Sequence, residues 1–166
     1  MQFSGLILLT GTDKPGIAAE LFETLAPFAV HIIDIEQIVN NNRLILTVLI
    51  GANPAHQAAI EEDLNTCATR LEVDIATLFE STISHPLPKN LLAITASSSK
   101  MHPKAIAQIS QGLAQAGANI ERIHRTSDSP ASFTFTISNV SKEDIQTKMA
   151  VLEFEDASTV VVHEVD

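Results

Sequence analysis

The chain has 166 residues, a formal charge of −10, a single cysteine and seven Phe as its only aromatic residues besides histidine. That length suits one ordinary domain or two very small ones, and 45% hydrophobic with 18% charged residues describes a globular chain with a real core. Acidic residues outnumber Lys and Arg by 11 to 3 over residues 1–85 and by 9 to 7 over 86–166, a balance that repels phosphate backbones and argues against nucleic-acid binding.

In chain order, Leu6–Thr10 is a short apolar run that predicts a strand, followed by the turn signal Gly11-Thr12-Asp13-Lys14-Pro15-Gly16. Ile17, Leu21, Leu25 and Phe28 then recur at helical spacing with Phe22 alongside. Ile32–Val39 and Leu44–Ile50 are rich in β-branched residues and are expected to pair through the Asn40-Asn41-Asn42 turn. Pro54 is expected to open a helix with Ile60, Leu64, Ala68 and Leu71 on its inner face, where Cys67 reads as a small core residue. Asp74–Ser84 supplies a last strand.

The same plan then repeats. Leu6–Thr10 aligns with Leu91–Thr95, Ala29–Ile32 with Gly117–Ile120 and Ile35 with Ile123, the offset growing from 85 to 88. Pro103 opens a helix carrying Ile106, Ile109, Leu113 and Ala116, with Gly117 as its stop. Strands are expected near Asn119–Thr126, Ser132–Ser138 and Ala157–Val165. Ser141-Lys142-Glu143-Asp144 reads as a capping box with Asp in place of the usual Glu. The expected architecture is α+β: two ferredoxin-like βαββαβ domains with antiparallel sheets, spanning 1–85 and 89–166, joined through His85-Pro86-Leu87-Pro88-Lys89. The sheet face away from the helices needs a cover, since apolar residues such as Val48 or Ile45 would otherwise meet water.

Such units host many functions, so the site must decide. No aromatic residue lies on Leu44–Ile50 for base stacking, no cysteine pair suits a metal carrier, and the first loop has Lys14 but no Arg for phosphate. The histidines fall in no metal-ligand spacing, and His124, Ser127 and Asp128 crowd one turn, unlike a working triad. No catalytic residue, metal site or cofactor is therefore assigned. The first loop is the candidate binding site, because free backbone N–H groups at a helix start favour a carboxylate and Asp13 can accept from an ammonium group. The alternative is that Asp13 and Pro15 simply begin a helix. The second loop, Ala96–Pro103, has no glycine and no carboxylate, which leaves an equivalent second site in doubt.

Thr10-Gly11-Thr12-Asp13-Lys14-Pro15-Gly16-Ile17 resembles the T-G-x-D-x-P-G-[IV] opening of ACT domains, and Gly117-Ala118-Asn119-Ile120 resembles the entry to their second strand. Asn119–Pro130 is similar to the N-I-x-R-I-x-R-L-S-D-x-P stretch of phosphoserine phosphatases with two N-terminal ACT domains. The resemblance implies an L-serine-binding regulatory module that dimerises by ACT–ACT packing and works with an attached or separate catalytic domain, and the single cysteine, Cys67, suits a reducing cytoplasm. It places ligand contacts on Asp13, Pro15, Gly16 and Ile17, with Asn119 and Ile120 at the second strand entry. His31 matches Asn119 and reads either as an edge of that site or as a plain strand residue. The D-x-D-x-T motif of the phosphatase domain does not occur here. A double-ACT interaction regulator similar to the glycine-cleavage repressors is the alternative reading.

Overall fold

Leu6–Thr10 is the middle of a longer strand: β1 covers Gln2–Thr12 in the computed structural model of the protein, which describes residues 2–82, 90–150 and 159–165. After it come α1 (Ile17–Leu25), β2 (His31–Asn40), β3 (Arg43–Gly51), a 3-10 turn (Pro54–His56), α2 (Gln57–Leu71) and β4 (Asp74–Thr82). The second set is β5 (Leu92–Ser98), α3 (Pro103–Gln115), β6 (Asn119–Asp128), β7 (Ala131–Ser138), α4 (Lys142–Ala150) and β8 (Thr159–Glu164). The chain divides into two compact units, Met1–His85 and Pro86–Asp166. The expected linker, residues 83–84 and residues 157–158 lie outside the described residues.

Each unit holds one four-stranded antiparallel sheet, ordered β2-β3-β1-β4 in the first and β6-β7-β5-β8 in the second. These are the expected ferredoxin-like sheets, and the edge strands are equivalent in both. In the first unit Ile7, Leu9, Leu44, Leu46, Val48 and Ile50 alternate along β1 and β3 and pack beneath Ile17, Leu21, Leu25, Ile60 and Leu64 of the helices. Phe28 lies beyond the end of α1 and still packs on this core. Cys67 is buried on the inner face of α2, as the periodicity of that helix requires. The second core repeats the arrangement with Ile94, Ile109, Leu113, Phe135, Ile137 and Ile145.

Val48 does not share the open sheet face with Ile45. It is fully buried, paired with Ile7 beneath the helices, whereas Ile45 is half-buried on the other side. Strand side chains alternate, so residues three apart point to opposite faces. The open face of the first sheet carries Leu6, Leu8 and Leu78, at 42, 39 and 57% exposure.

Local chemistry explains the element ends. Asn41 and Asn42 both have positive φ, 48° and 61°, which makes the two-residue β2–β3 loop a type I′ turn matched to strand twist. Pro54 begins the 3-10 turn rather than α2 itself, with the Asn53 side chain accepting from the Ala55 N–H at 3.0 Å. The end of α3 is a Schellman motif: Ala118 N–H donates to Leu113 O at 3.0 Å and Gly117 N–H to Ala114 O at 3.0 Å, with Gly117 at φ 81°. At the start of α4, Asp144 N–H donates to Ser141 Oγ at 3.1 Å while that hydroxyl donates to Asp144 Oδ2 at 2.6 Å. Asp has one methylene fewer than Glu, and its carboxylate bonds the cap's hydroxyl instead of the backbone N–H of the usual capping box.

Candidate functional site

The first loop is braced on two sides. Asp13 N–H donates to Asn42 O at 3.0 Å, tying the loop to the β2–β3 turn. Lys14 Nζ lies 3.3 Å from Glu72 Oε2 at the end of α2. Gly16 is the N-cap of α1 in a left-handed conformation, φ 93°, and no side chain caps the helix. The first bond of α1 is Glu20 N–H to Gly16 O at 3.0 Å, so the N–H groups of Ile17 and its two successors are the donors a helix start leaves over. Pro15 precedes the cap and does not occupy the first helical position.

Asp13, Pro15 and Gly16 are exposed, and the space around a Cβ at Gly16 is open. Gly16 is therefore required by its backbone angle, and no neighbour approaches it closely. The Ile17 side chain is buried in the core, which leaves its backbone N–H as the group it can offer.

His31 stands elsewhere. β2 runs parallel to β1 across β3, so the start of β2 lies at the end of the sheet remote from the loop. The eight residue steps from Arg43 to Gly51 along β3 put His31 about 26 Å from the loop in its own unit. There its ring fills the space that a Cβ on Gly51 would take, and its Nε2 is 3.3 Å from Gln2 Nε2.

Asn119 opens β6 opposite Ser138. Its Nδ2 donates to Glu121 Oε1 at 2.7 Å, and the Ser138 hydroxyl donates to the same oxygen. These two bonds, that from Ser138 first, hold the Glu121 carboxyl below the usual carboxylate range. Ile120 is half-buried and packs on the second core. In the second loop Ser97 bonds Ser132 across the sheet at 2.8 Å and buried Ser98 donates to Lys100 O at 2.9 Å, so two of its three hydroxyls are committed inside the unit.

Sequence reasoning missed Glu121 and Ser138. Both units carry a β-bulge at equivalent places, between Ile32 and Asp34 and between Ile120 and Arg122. The extra residue re-aims the strand next to the candidate positions, and simple alternation does not reveal it. Also outside the expected site is a groove of about 510 Å³ between α1 and α2, lined by Glu20, Glu23, Asp63 and Arg70 among others. Arg70 is already paired with Glu20 at 2.7 Å. Among the described residues no helix is long and apolar enough to cross a membrane.

Residues 6–77, most of the first unit, match the family model of the ACT domain, and the second unit repeats the same strand order. A solved structure assigned to the glycine cleavage system transcriptional repressors superposes with a TM-score of 0.81 at 15% identity, covering 99% of this chain and 98% of that one. An uncharacterised protein of Galdieria sulphuraria gives 0.72, also at 15% identity, over all of both chains. At such identity these two speak for the fold.

The more particular likeness is to phosphoserine phosphatases. That of Streptomyces coelicolor is 29% identical over 147 residues, 87% of this chain and 36% of its own length. That of Mycobacterium tuberculosis is 29% identical over 133 residues, 79% of this chain and 32% of its own. The chain thus resembles the double-ACT region of phosphoserine phosphatases and spans about a third of the length of these relatives.

Proposed function

We propose that this chain is a regulatory module that binds a free amino acid, L-serine, and that a catalytic phosphoserine phosphatase domain, attached or separate, responds to it. The observation that carries this reading is the first loop, where an uncapped helix start on left-handed Gly16 adjoins the exposed Asp13 carboxylate. The N–H groups and the helix dipole suit a ligand carboxylate, and Asp13 suits its ammonium group.

The loop alone is open, and a second copy of the chain would close it. Every residue of edge strand β2 is exposed, and Ile32, Ile33, Ile35, Ile38 and Val39 stand at 42 to 52%. An edge strand with that much exposed apolar surface is a template for another strand. Antiparallel pairing of β2 with β2 of a second copy sets the start of one strand beside the end of the other. His31 of one copy then comes to the loop of the next, and Asn119 opens its own sheet edge in the same way. Ligand bound at such a junction favours one arrangement of the copies, and a few kcal/mol of differential affinity suffice for control.

Calorimetric titration with L-serine, glycine and L-alanine tests the reading. L-serine should bind saturably with micromolar or weaker affinity, given its handful of non-hydrogen atoms. Asp13→Ala should weaken it about tenfold or more, the scale of a charge-assisted hydrogen bond. Silence with all three amino acids would reject the sensor and leave an interaction module.

A further inference from the structure

Glu121 is the extra residue of the β6 bulge: register runs from Ile120 opposite Ile137 directly to Arg122 opposite Thr136, which leaves Glu121 with no residue of β7 directly opposite it. Its carboxylate receives the Asn119 amide at 2.7 Å and the hydroxyl of Ser138, a residue only 1% exposed. The two ends of an asparagine amide are normally hard to tell apart. Here chemistry decides, because an ionised carboxylate only accepts and the NH₂ end must be the one that meets it. Asn119 Oδ1 then has no hydrogen-bond partner among the described residues, and Asn119 itself is exposed.

We propose that Glu121, anchored by Ser138, is a positioning residue that locks the Asn119 amide with its carbonyl oxygen free, making this strand entry an acceptor for the ammonium group of an amino-acid ligand. The proposal rests on the amino-acid-binding reading above and adds to it which end of the ligand Asn119 takes. A freely rotating amide presents donor and acceptor alike and accepts the ligand in either sense. A locked one presents the acceptor only, and the ordering cost is met before the ligand arrives.

The first unit shows what the absence of the lock looks like. The positions equivalent to Asn119, Glu121 and Ser138 are His31, Ile33 and Gly51. The bulged residue there, Ile33, carries no carboxylate, and the missing side chain of Gly51 makes room for the His31 ring. The locked amide acceptor therefore belongs to the second unit, in addition to the Asp13 carboxylate that the first unit offers.

A double-mutant cycle on the full chain tests this, with L-serine and its ammonium-free analogue glycerate as ligands and calorimetry as the readout. Asn119→Ala and Glu121→Ala should each weaken L-serine about tenfold, and the double variant should be no weaker than the worse single one. Glycerate affinity should not move in any of them. Glu121→Gln retains an oxygen for the same two donors and should stay within about threefold of the wild type. Circular dichroism melts confirm that each variant folds. If Asn119→Ala weakens L-serine while Glu121→Ala does not, the lock is wrong and the binding reading stands. Equal losses for glycerate, or additive effects in the double variant, also overturn the lock. An Asn119→Ala chain with unchanged affinity removes the lock and leaves the loop reading standing, whereas a wild-type chain that ignores L-serine removes the lock together with the reading beneath it.

Discussion

Gly11 and Gly16 bound the same loop and are glycine for different reasons. A Cβ on Gly11 would stand 2.6 Å from Val73 Cγ1 and 3.1 Å from its Cβ, a stiff branched side chain at the end of α2. Gly11→Ala should cost about 1–3 kcal/mol of stability by overpacking. Gly16→Ala meets nothing but keeps φ at 93°, and should cost about 1 kcal/mol. Urea melts measure both, and a neutral Gly11→Ala would mean that the β1 end yields. Glu72 has the reverse problem, ending α2 at φ 56° with Val73 N–H on Ala68 O at 3.1 Å. Glu72→Gly should raise stability by about 0.5–1 kcal/mol, since its exposed pair with Lys14 contributes little. Glu121 gives a pH signature. Its native pKa is lowered, so its contribution is present above the unfolded value of about 4.3 and is lost as pH falls through the native one. Glu121→Ala should therefore lower Tm at pH 7 and converge with the wild type in acid below both values.

At the scale of elements, the repeated unit is written in period and punctuation. Alternating apolar residues in β1 and β3, a 3.6-residue stripe in α1 and α2, and asparagine or glycine at the turns all point to the same layered plan. Helix ends were legible at Ser141 and Gly117, where a typical cap residue marks them, and not at Asn53 or left-handed Glu72. Ser141→Ala should accordingly destabilise the second unit by about 1 kcal/mol. A thermal melt unchanged by that substitution would show that α4 is held by Ile145 and Met149 alone. The β-bulges were not legible, because an inserted residue keeps composition and only shifts the phase of the pattern. Ile33 reads as one more apolar strand residue, yet it stands 43% exposed at the break in register.

For the whole molecule, the uneven charge and the uneven surface coincide. The more acidic first unit also exposes five large apolar side chains on β2 and three on its open sheet face. Such surface is expected to be covered by association. Replacing Ile35 and Ile38 together with Lys places charge on the β2 edge, a change that discourages strand addition. Sedimentation analysis should show the wild-type chain as a dimer and the double variant as a monomer with little change in Tm. A variant that stays dimeric would move the interface away from β2 and, with it, the closure of the Asp13 loop by a second copy.

The residues of the loop were recognisable in the sequence, but their separation from His31 was not. Sequence by itself determined the βαββαβ plan, its duplication, the turn chemistry and the loop that begins α1, since each depends on neighbours within a few positions and on side-chain periodicity. Only the tertiary structure decided that His31 lies at the far end of the sheet, that Val48 faces the helices, and that Glu121 and Ser138 converge on Asn119. Those outcomes turn on strand direction and register, which are set when distant segments pair. A one-residue shift there re-aims a side chain while leaving the local pattern unchanged.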